Sequence, residues 1–301
     1  VFIAEKKYSK AQTMLNASGR IWNTRIGMRN NVNAATIYVL EGDILYAQKK
    51  YNEADKLYEK AKKVYEDFFS NNHPEYVKVL SKLSKTYFMQ DNPKKAQAAL
   101  EEVLSNYNEF IKSYFPALGE REKAKFWNTI KQDYEFYNTL VINYNKNKDL
   151  IGTLYNNALL TKALLLNSSI KIRQQIQSSG DQELIELYAD WEAKKETLTS
   201  AISMSADQLA ESGVNAASIQ KEVEQLEKSL SEKSSAFSSQ TDAQQVTWEN
   251  VKMALEPGEV ALEMVRFRVF NHNFTDSVMY AVMYIDNNSS KSKPGLILLK
   301  N

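Results

Sequence analysis

The 301-residue sequence contains no cysteine and only two histidines, His73 and His272. The absence of cysteine removes one block of side-chain chemistry outright. Without a thiol there is no thiolate nucleophile, no disulfide and no cysteine-ligated zinc. The compartment stays open, because a cysteine-free chain folds in reducing and oxidising surroundings alike. There is no Gly-rich phosphate loop, no His-Glu-x-x-His and no Cys-x-x-Cys. Asp286-Asn287-Asn288-Ser289-Ser290 has the composition of a calcium loop, yet Lys291 and Ile297 stand where an EF-hand needs glycine and glutamate. That run reads as a hairpin loop. Asp133 and Glu135 lie among tyrosines, but two residues apart on a helix they face different ways, so they read as charged surface rather than an acid–base pair. Asn-x-Ser/Thr triplets at Asn167 and Asn273 carry no weight without a secretory context. No catalytic, cofactor-binding or metal-binding residue is assigned, and no cofactor is expected.

The remaining composition points to helices. Nine glycines and five prolines are far fewer than the roughly 7% and 5% of an average chain. A loop-rich sandwich or a disordered tail is therefore excluded, and 43% hydrophobic with 11% aromatic residues is enough for a core. Lysine and arginine number 38 against 37 acidic residues, which argues against a nucleic-acid partner or a polybasic membrane binder. No apolar run reaches the 18 or so residues of a membrane span. The length fits about two domains. Val1-Phe2-Ile3-Ala4-Glu5 reads as the middle of a helix rather than a signal peptide, and the last apolar strand stops at Lys300-Asn301. Both ends read as cut, so the expectation is a fragment of a longer protein.

The first third repeats itself. Lys49-Lys50-Tyr51-Asn52-Glu53-Ala54, with Tyr58 and Ala61, returns 42 residues later as Asp91-Asn92-Pro93-Lys94-Lys95-Ala96, with Leu100 and Val103. Upstream, Lys6-Lys7-Tyr8-Ser9-Lys10-Ala11 with Leu15 precedes the central phrase by 43. Gly42 and Ser84 stand 12 positions before Ala54 and Ala96. The expected unit is helix, short turn, helix. The small residue lets two helices cross, the alanine fills the contact and the larger residue a turn later closes the layer. One pair cannot bury its own face, so neighbours must stack.

This small–Ala–aromatic–Ala spacing resembles tetratricopeptide repeats, and Asn72-His73-Pro74-Glu75 is similar to the junction of their longer variety. Glu41, where leucine is usual, and Pro93, where an aromatic is common, depart from the pattern; proline is tolerated in a first helical turn. The resemblance implies that Val1 lies within a first repeat. It also implies that Thr36, Val39, Asp43, Tyr46 and Ala47, then Lys78, Ser81, Lys85, Phe88 and Met89, line a groove. A protein or peptide ligand is one occupant of such a groove. The other possibility is a face that holds nothing, or only the protein's own chain.

Beyond Pro116 the spacing predicts more helices. Phe126, Trp127, Ile130, Tyr134, Tyr137, Val141 and Tyr144 form one stripe, and Leu150, Leu154, Tyr155, Ala158, Leu159, Leu165, Leu166 and Ile170 another. Gly180-Asp181 reads as a helix stop followed by a cap. Leu184, Leu187, Trp191, Leu198 and Ala201, then Ile219, Val223, Leu226, Leu230 and Phe237, predict an antiparallel hairpin with a coiled-coil-like seam. The serines from 229 to 239 read as a solvated helix end.

At Val246 the texture changes. A short helix from Trp248 to Leu255 stops at Pro257-Gly258, and strands are expected over 259–270, 277–285 and 296–299, with His272–Asp276 as a polar link. The middle strand lacks clean alternation, as if covered on both faces. Trp-x-x-Val-x-x-x-Leu-x-Pro-Gly-Glu, with Glu263, Arg266-Phe267 and Tyr280, resembles the opening of a CHAT domain, a caspase-like fold. Leu160 to Ser169, Ser179-Gly180-Asp181 and Trp191 are similar to the linker of such proteins in Bacteroidetes-like bacteria. The resemblance implies a cysteine peptidase with a His–Cys pair. No such pair maps onto this chain: there is no cysteine, and His272 precedes Asn273 instead of glycine and comes too early, so it reads as a turn residue.

The expected fold is thus mainly α. Tetratricopeptide-type repeats occupy 1–115, a helical region with the hairpin occupies 116–240, and 241–301 is the first, incomplete part of a CHAT-like α/β domain. The expected function is the interaction and regulatory region of a caspase-like peptidase, itself non-catalytic. The alternative is a structural scaffold with a degenerate, inactive CHAT-like domain. The sequence leaves the oligomeric state and the compartment open.

Overall fold

The computed structural model describes residues 3, 5–26, 32–114, 120–144, 148–203, 213–238, 246–287 and 293–299. Among them ten helices precede a small antiparallel sheet, so the expected mainly α architecture is observed. The helices are α1 (Tyr8–Ile26), α2 (Val32–Ala47), α3 (Tyr51–Phe69), α4 (Pro74–Met89), α5 (Pro93–Tyr114), α6 (Glu120–Asn143), α7 (Lys148–Ser179), α8 (Gln182–Ser203), α9 (Ala216–Ser238) and α10 (Trp248–Ala254). The strands are β1 (Val260–Asn271), β2 (Asn273–Asp286) and β3 (Gly295–Leu299), in the order β1-β2-β3. The chain groups into two compact units assembled from non-contiguous segments. The first holds 1–108, 133–147 and 266–279, and the second holds 109–132, 148–265 and 280–301.

In the first unit the sequence repeat is a backbone repeat. Lys6, Lys49 and Asp91 occupy the same place in the three phrases, and all are left-handed, with φ of 57°, 62° and 54°. Each donates its N–H three residues back, to Ile3, Tyr46 and Phe88. The next residue, Lys50 or Asn92, reaches back five, to Leu45 or Tyr87, which is the Schellman closure of a helix end. Asn92 then caps α5 through its side chain, accepting from the Lys95 N–H, and Pro93 is harmless at the first helical position because an N–H there would have no partner within the helix. At the other junction the His73 ring accepts from the Glu75 N–H, Pro74 fills the first turn of α4, and the ring stacks on Phe69 with centroids 4.0 Å apart.

Packing follows the expected logic. Ala54, Ala61, Ala96, Leu100 and Val103 are fully buried, and so is Tyr58. Gly42 is required by that tyrosine, because a Cβ at 42 would lie 2.6 Å from the ring. The ring is not free to swing aside, since its hydroxyl donates to Asp43 at 2.8 Å. The following repeat uses buried Ser84 and Leu100 at these two positions, and the Ser84 hydroxyl is satisfied by the Ser81 carbonyl.

In the second unit the predicted hairpin is α8 against α9. Ile176, Leu184, Trp191, Leu198, Val223 and Leu230 make its core. Lys233–Glu183, Trp191–Glu227 and Lys194–Glu222 pair across it, one number falling as the other rises, so the two helices run antiparallel. Gly180 is left-handed at φ 67°, and Asp181 accepts from the Leu184 N–H, which gives the stop and cap that the sequence predicts. Residues 204–212 of the connecting loop, and the side chains of Leu165, Leu166, Ile170 and Phe237, lie outside what the structure describes. Trp248 begins α10 with its N–H donated to Asn156, and its indole lies so close to Gly152 of α7 that a Cβ there would be 2.8 Å from Nε1.

The sheet departs from the sequence reading in two ways. The polar link expected at His272–Asp276 is a one-residue turn at His272: the left-handed residue reverses the chain at once, β2 begins at Asn273, and the Thr275 hydroxyl donates back to the Val269 carbonyl. Nor is β2 covered on both faces: Ala281, Met283 and Ile285 are buried, while Tyr280, Val282 and Tyr284 are only half-buried. On the neighbouring strands Val260, Leu262 and Met264 are 54%, 66% and 54% exposed, and Ile297 and Leu299 are exposed too.

The Gly42 geometry gives a stability test. Gly42→Ala gains up to about 1 kcal/mol of helix propensity but overpacks against a held ring, which costs about 1–3 kcal/mol. Urea unfolding should therefore find a net loss of about 1 kcal/mol. In a Tyr58→Leu background, which copies the next repeat, the same substitution should be neutral or stabilising.

Candidate functional site

The groove positions fall on α2 and α4 of the first unit, and most have found partners within it. Thr36 shares a hydrogen bond with the Tyr65 hydroxyl at 3.2 Å, and Val39 is half-buried. Asp43 accepts from Tyr58 and from Lys82, at 2.8 and 2.7 Å. Ala47 accepts at its carbonyl from Tyr8. Lys78 is exposed and pairs with Glu75 on its own helix. Met89 is half-buried at the end of α4. The rest converge on two segments from far along the chain.

The first is the C-terminal half of α6. Ser81 and Lys85 both donate to Asp133 Oδ1 at 2.7 Å, and Tyr107 donates to Oδ2 at 2.9 Å. Burial first, and then Asp133 itself, raise the Tyr107 phenol far above its ordinary value, so it stays a donor. Asp133 is thus a buried acceptor node and not charged surface. Glu135 also differs from the sequence reading: its Oε2 takes both Nε and Nη2 of Arg268, at 3.1 and 2.9 Å. The two carboxylates do face different ways, as their spacing requires, but each faces a partner instead of water.

The second segment is the tip of the β1–β2 hairpin. Phe270 is buried, with Phe136, Phe88 and Phe274 around it at centroid distances of 4.7, 6.2 and 5.3 Å in edge-on arrangements. Its N–H donates to Thr139 of α6 at 3.1 Å. Two residues on, the His272 ring stacks on Tyr46 at 4.9 Å with 7° between the planes. The Tyr46 hydroxyl donates to the His272 carbonyl at 2.9 Å, and the Tyr51 hydroxyl meets Nδ1 at 2.8 Å. Burial raises both phenols, strongly for Tyr46, where Tyr51 adds to the effect.

Tyr51, Glu135 and Thr139, with Arg268, Phe270 and His272, were invisible as site residues in the sequence. Tyr51 is written in the repeat phrase itself, and the 42-residue offset carries Tyr46 onto Phe88. That offset was the one available signal. The arrangement supplies flat rings, phenolic donors and one paired carboxylate, a chemistry for binding an extended segment. Among the described residues no group of acidic and histidine side chains is placed to hold a metal ion, and no helix is long and apolar enough to cross a membrane.

Stacked helix pairs with a shared turn, presenting one face to a chain segment, define a helical-repeat interaction scaffold. The family model for the tetratricopeptide repeat matches residues 33–109, from the start of α2 into α5, so this part of the chain is similar to tetratricopeptide repeats. No curated protein matches the chain.

Two outcomes test the site. Asp133→Ala leaves Ser81, Lys85 and Tyr107 without their shared acceptor and should cost about 3 kcal/mol in denaturant unfolding. Asp133→Asn, which keeps an acceptor, should lose less. The second concerns pH. Burial first, and then Lys49, hold the His272 imidazole below its ordinary value of 6.5. The released tip therefore takes up a proton before the docked tip does, so docking is strongest above pH 6.5 and weakens as pH falls through and below it. Tyr46, Tyr51 and Lys49 are the groups that face the ring, and burial holds both phenols above their ordinary value, so they stay protonated throughout. Amide exchange over 270–274, corrected for its intrinsic pH dependence, should rise between pH 7.5 and 5. A His272→Gln variant should lack that rise.

Proposed function

We propose that this chain is the protein-interaction and regulatory region of a bacterial, Bacteroidetes-like protein that joins tetratricopeptide repeats to a CHAT domain. Its complete form is a caspase-like cysteine peptidase. In this reading 1–115 are the repeats, 116–240 are a helical region with a coiled-coil-like arm, and 241–301 open the CHAT-like domain. The observation that best supports it is the hold of repeat residues Tyr46, Tyr51 and Phe88 on His272 and Phe270 of the strand-bearing segment. A sensor of protein partners that must report to a following domain needs such a mechanical link.

Two further observations fit. Lys162, in the linker-like helix, forms an ion pair with Glu263, in the CHAT-like strand, so two segments that carry the resemblance meet in the second unit. The exposed apolar side chains of β1 and β3 are what a further layer of an α/β domain covers. The chain itself is non-catalytic in this reading, since it has no thiol and both imidazoles are engaged, His73 as a helix cap and His272 on the repeats.

The engagement of His272 equally favours a second reading, a scaffold whose CHAT-like domain is inactive. Reading the coding sequence downstream of Asn301 separates the two cheaply. The peptidase reading requires a strand-ending His-Gly and a later cysteine. The longer protein should then cleave members of a peptide library, and replacing that cysteine with alanine should abolish cleavage. The 301-residue chain alone should cleave none. Activity that survives the cysteine replacement, or the lack of either motif, would sink the peptidase reading.

A further inference from the structure

His272 is the apex of the hairpin at φ 65°, a left-handed conformation that glycine adopts freely and that asparagine, aspartate and histidine accept more often than other side chains. Asn271 and Asn273 flank it. The turn therefore admits a histidine without demanding its ring, and the ring's own contacts show what it does there. What it gains is the flat contact with Tyr46 and the hydrogen bond with Tyr51.

The receiving face has a matching regularity. Tyr46 and Phe88 are the same position in consecutive repeats, each the residue whose carbonyl accepts from the left-handed turn residue three further on. Tyr46 meets His272, and Phe88 meets Phe270. Two equivalent repeat positions thus contact two tip residues that are themselves two apart. Arg268, another two back, is held by Glu135. The repeat spacing is thus matched by residues 270 and 272 of the hairpin, and residue 268 is held by α6 instead.

We propose that the aromatic positions 46 and 88 form a recognition face for a Phe-x-His turn, that the hairpin tip occupies it as an internal ligand, and that a protein partner presenting the same ring-x-imidazole pattern reaches the face only by displacing the tip. This rests on the reading of the repeats as an interaction region and names the ligand class they take. It does not depend on any peptidase activity, so its failure and the failure of the peptidase reading are told apart.

The test uses the full 301-residue chain and a fluorescent cyclic peptide carrying residues 268–276, followed by anisotropy. Wild-type protein, with its face occupied, should bind the peptide weakly. His272→Gly combined with Phe270→Ala keeps the left-handed turn and removes both docking rings, and it should bind the peptide at least tenfold more tightly. Adding Tyr46→Leu to that variant should return binding to the weak level, and Tyr46→Phe, which loses only the hydroxyl, should fall between. A peptide with glycine in place of its histidine should bind none of these proteins tightly. Circular dichroism and thermal unfolding establish that each variant is folded. As an independent readout on wild-type protein, excess unlabelled peptide should speed amide exchange over 270–274. Equal binding to wild type and the double variant, binding indifferent to Tyr46, absence of binding altogether, or unchanged tip exchange would each overturn the proposal.

Discussion

Phe270 is the residue on which the first compact unit closes. It comes from a strand, yet it is buried among rings contributed by α4 and α6 and is fixed along its backbone by Thr139. A stacked pair of repeats always leaves one helix face without a successor. Here the C-terminal half of α6 lies against α4 and α5, and the hairpin tip lies against α4 and Tyr46 of α2. Burying a phenylalanine side chain is worth about 1.5–3 kcal/mol, and edge-on ring pairs add to it. The hairpin is therefore structural as well as a candidate ligand, and its terminal residue, His272, is the part held chiefly by polar and stacking contacts that water can replace.

Polar order on the same face is set by Asp133. One carboxylate satisfies a serine and a lysine of α4 and a tyrosine of α5, which fixes how α6 sits on those two helices. A buried acceptor of this kind contributes more to register than to net stability, because its own desolvation offsets much of what it gains. Glu135 performs a related task one face over: its pair with Arg268 sets where the hairpin lies along α6, and the guanidinium also lies over the Phe274 ring. The interaction chemistry of the repeats is thus largely spent on the protein's own chain.

Much of this was legible in the residues. The repeat was, because its turn imposes the same left-handed residue, the same buried alanine and the same small crossing residue every 42 or 43 positions. The Gly180-Asp181 stop and the α8–α9 seam were legible too, being local signals of dihedral angle and heptad spacing. The α6 stripe was only half legible. Its predicted face of Ile130, Tyr134, Tyr137 and Val141 is buried, but so is Phe136, because Phe270, more than a hundred residues away, packs on this helix from a second side. No periodicity within α6 encodes that second cover.

Sequence alone determined the helix pairs, their turns and the places where small residues must stand, since each follows from contacts between residues less than one repeat apart. Tertiary structure alone decided what the repeat face holds. The pairing of Tyr46 with His272 and of Phe88 with Phe270 joins residues some 180 to 230 positions apart, and nothing local distinguishes a turn histidine that docks from one that faces water. The same holds for Asp133 and Glu135, whose spacing told where they could not both point but not what each would meet. Local geometry is written in propensity and period, whereas the choice of a distant partner is made only when the folded chain brings one surface against another and removes the water between them.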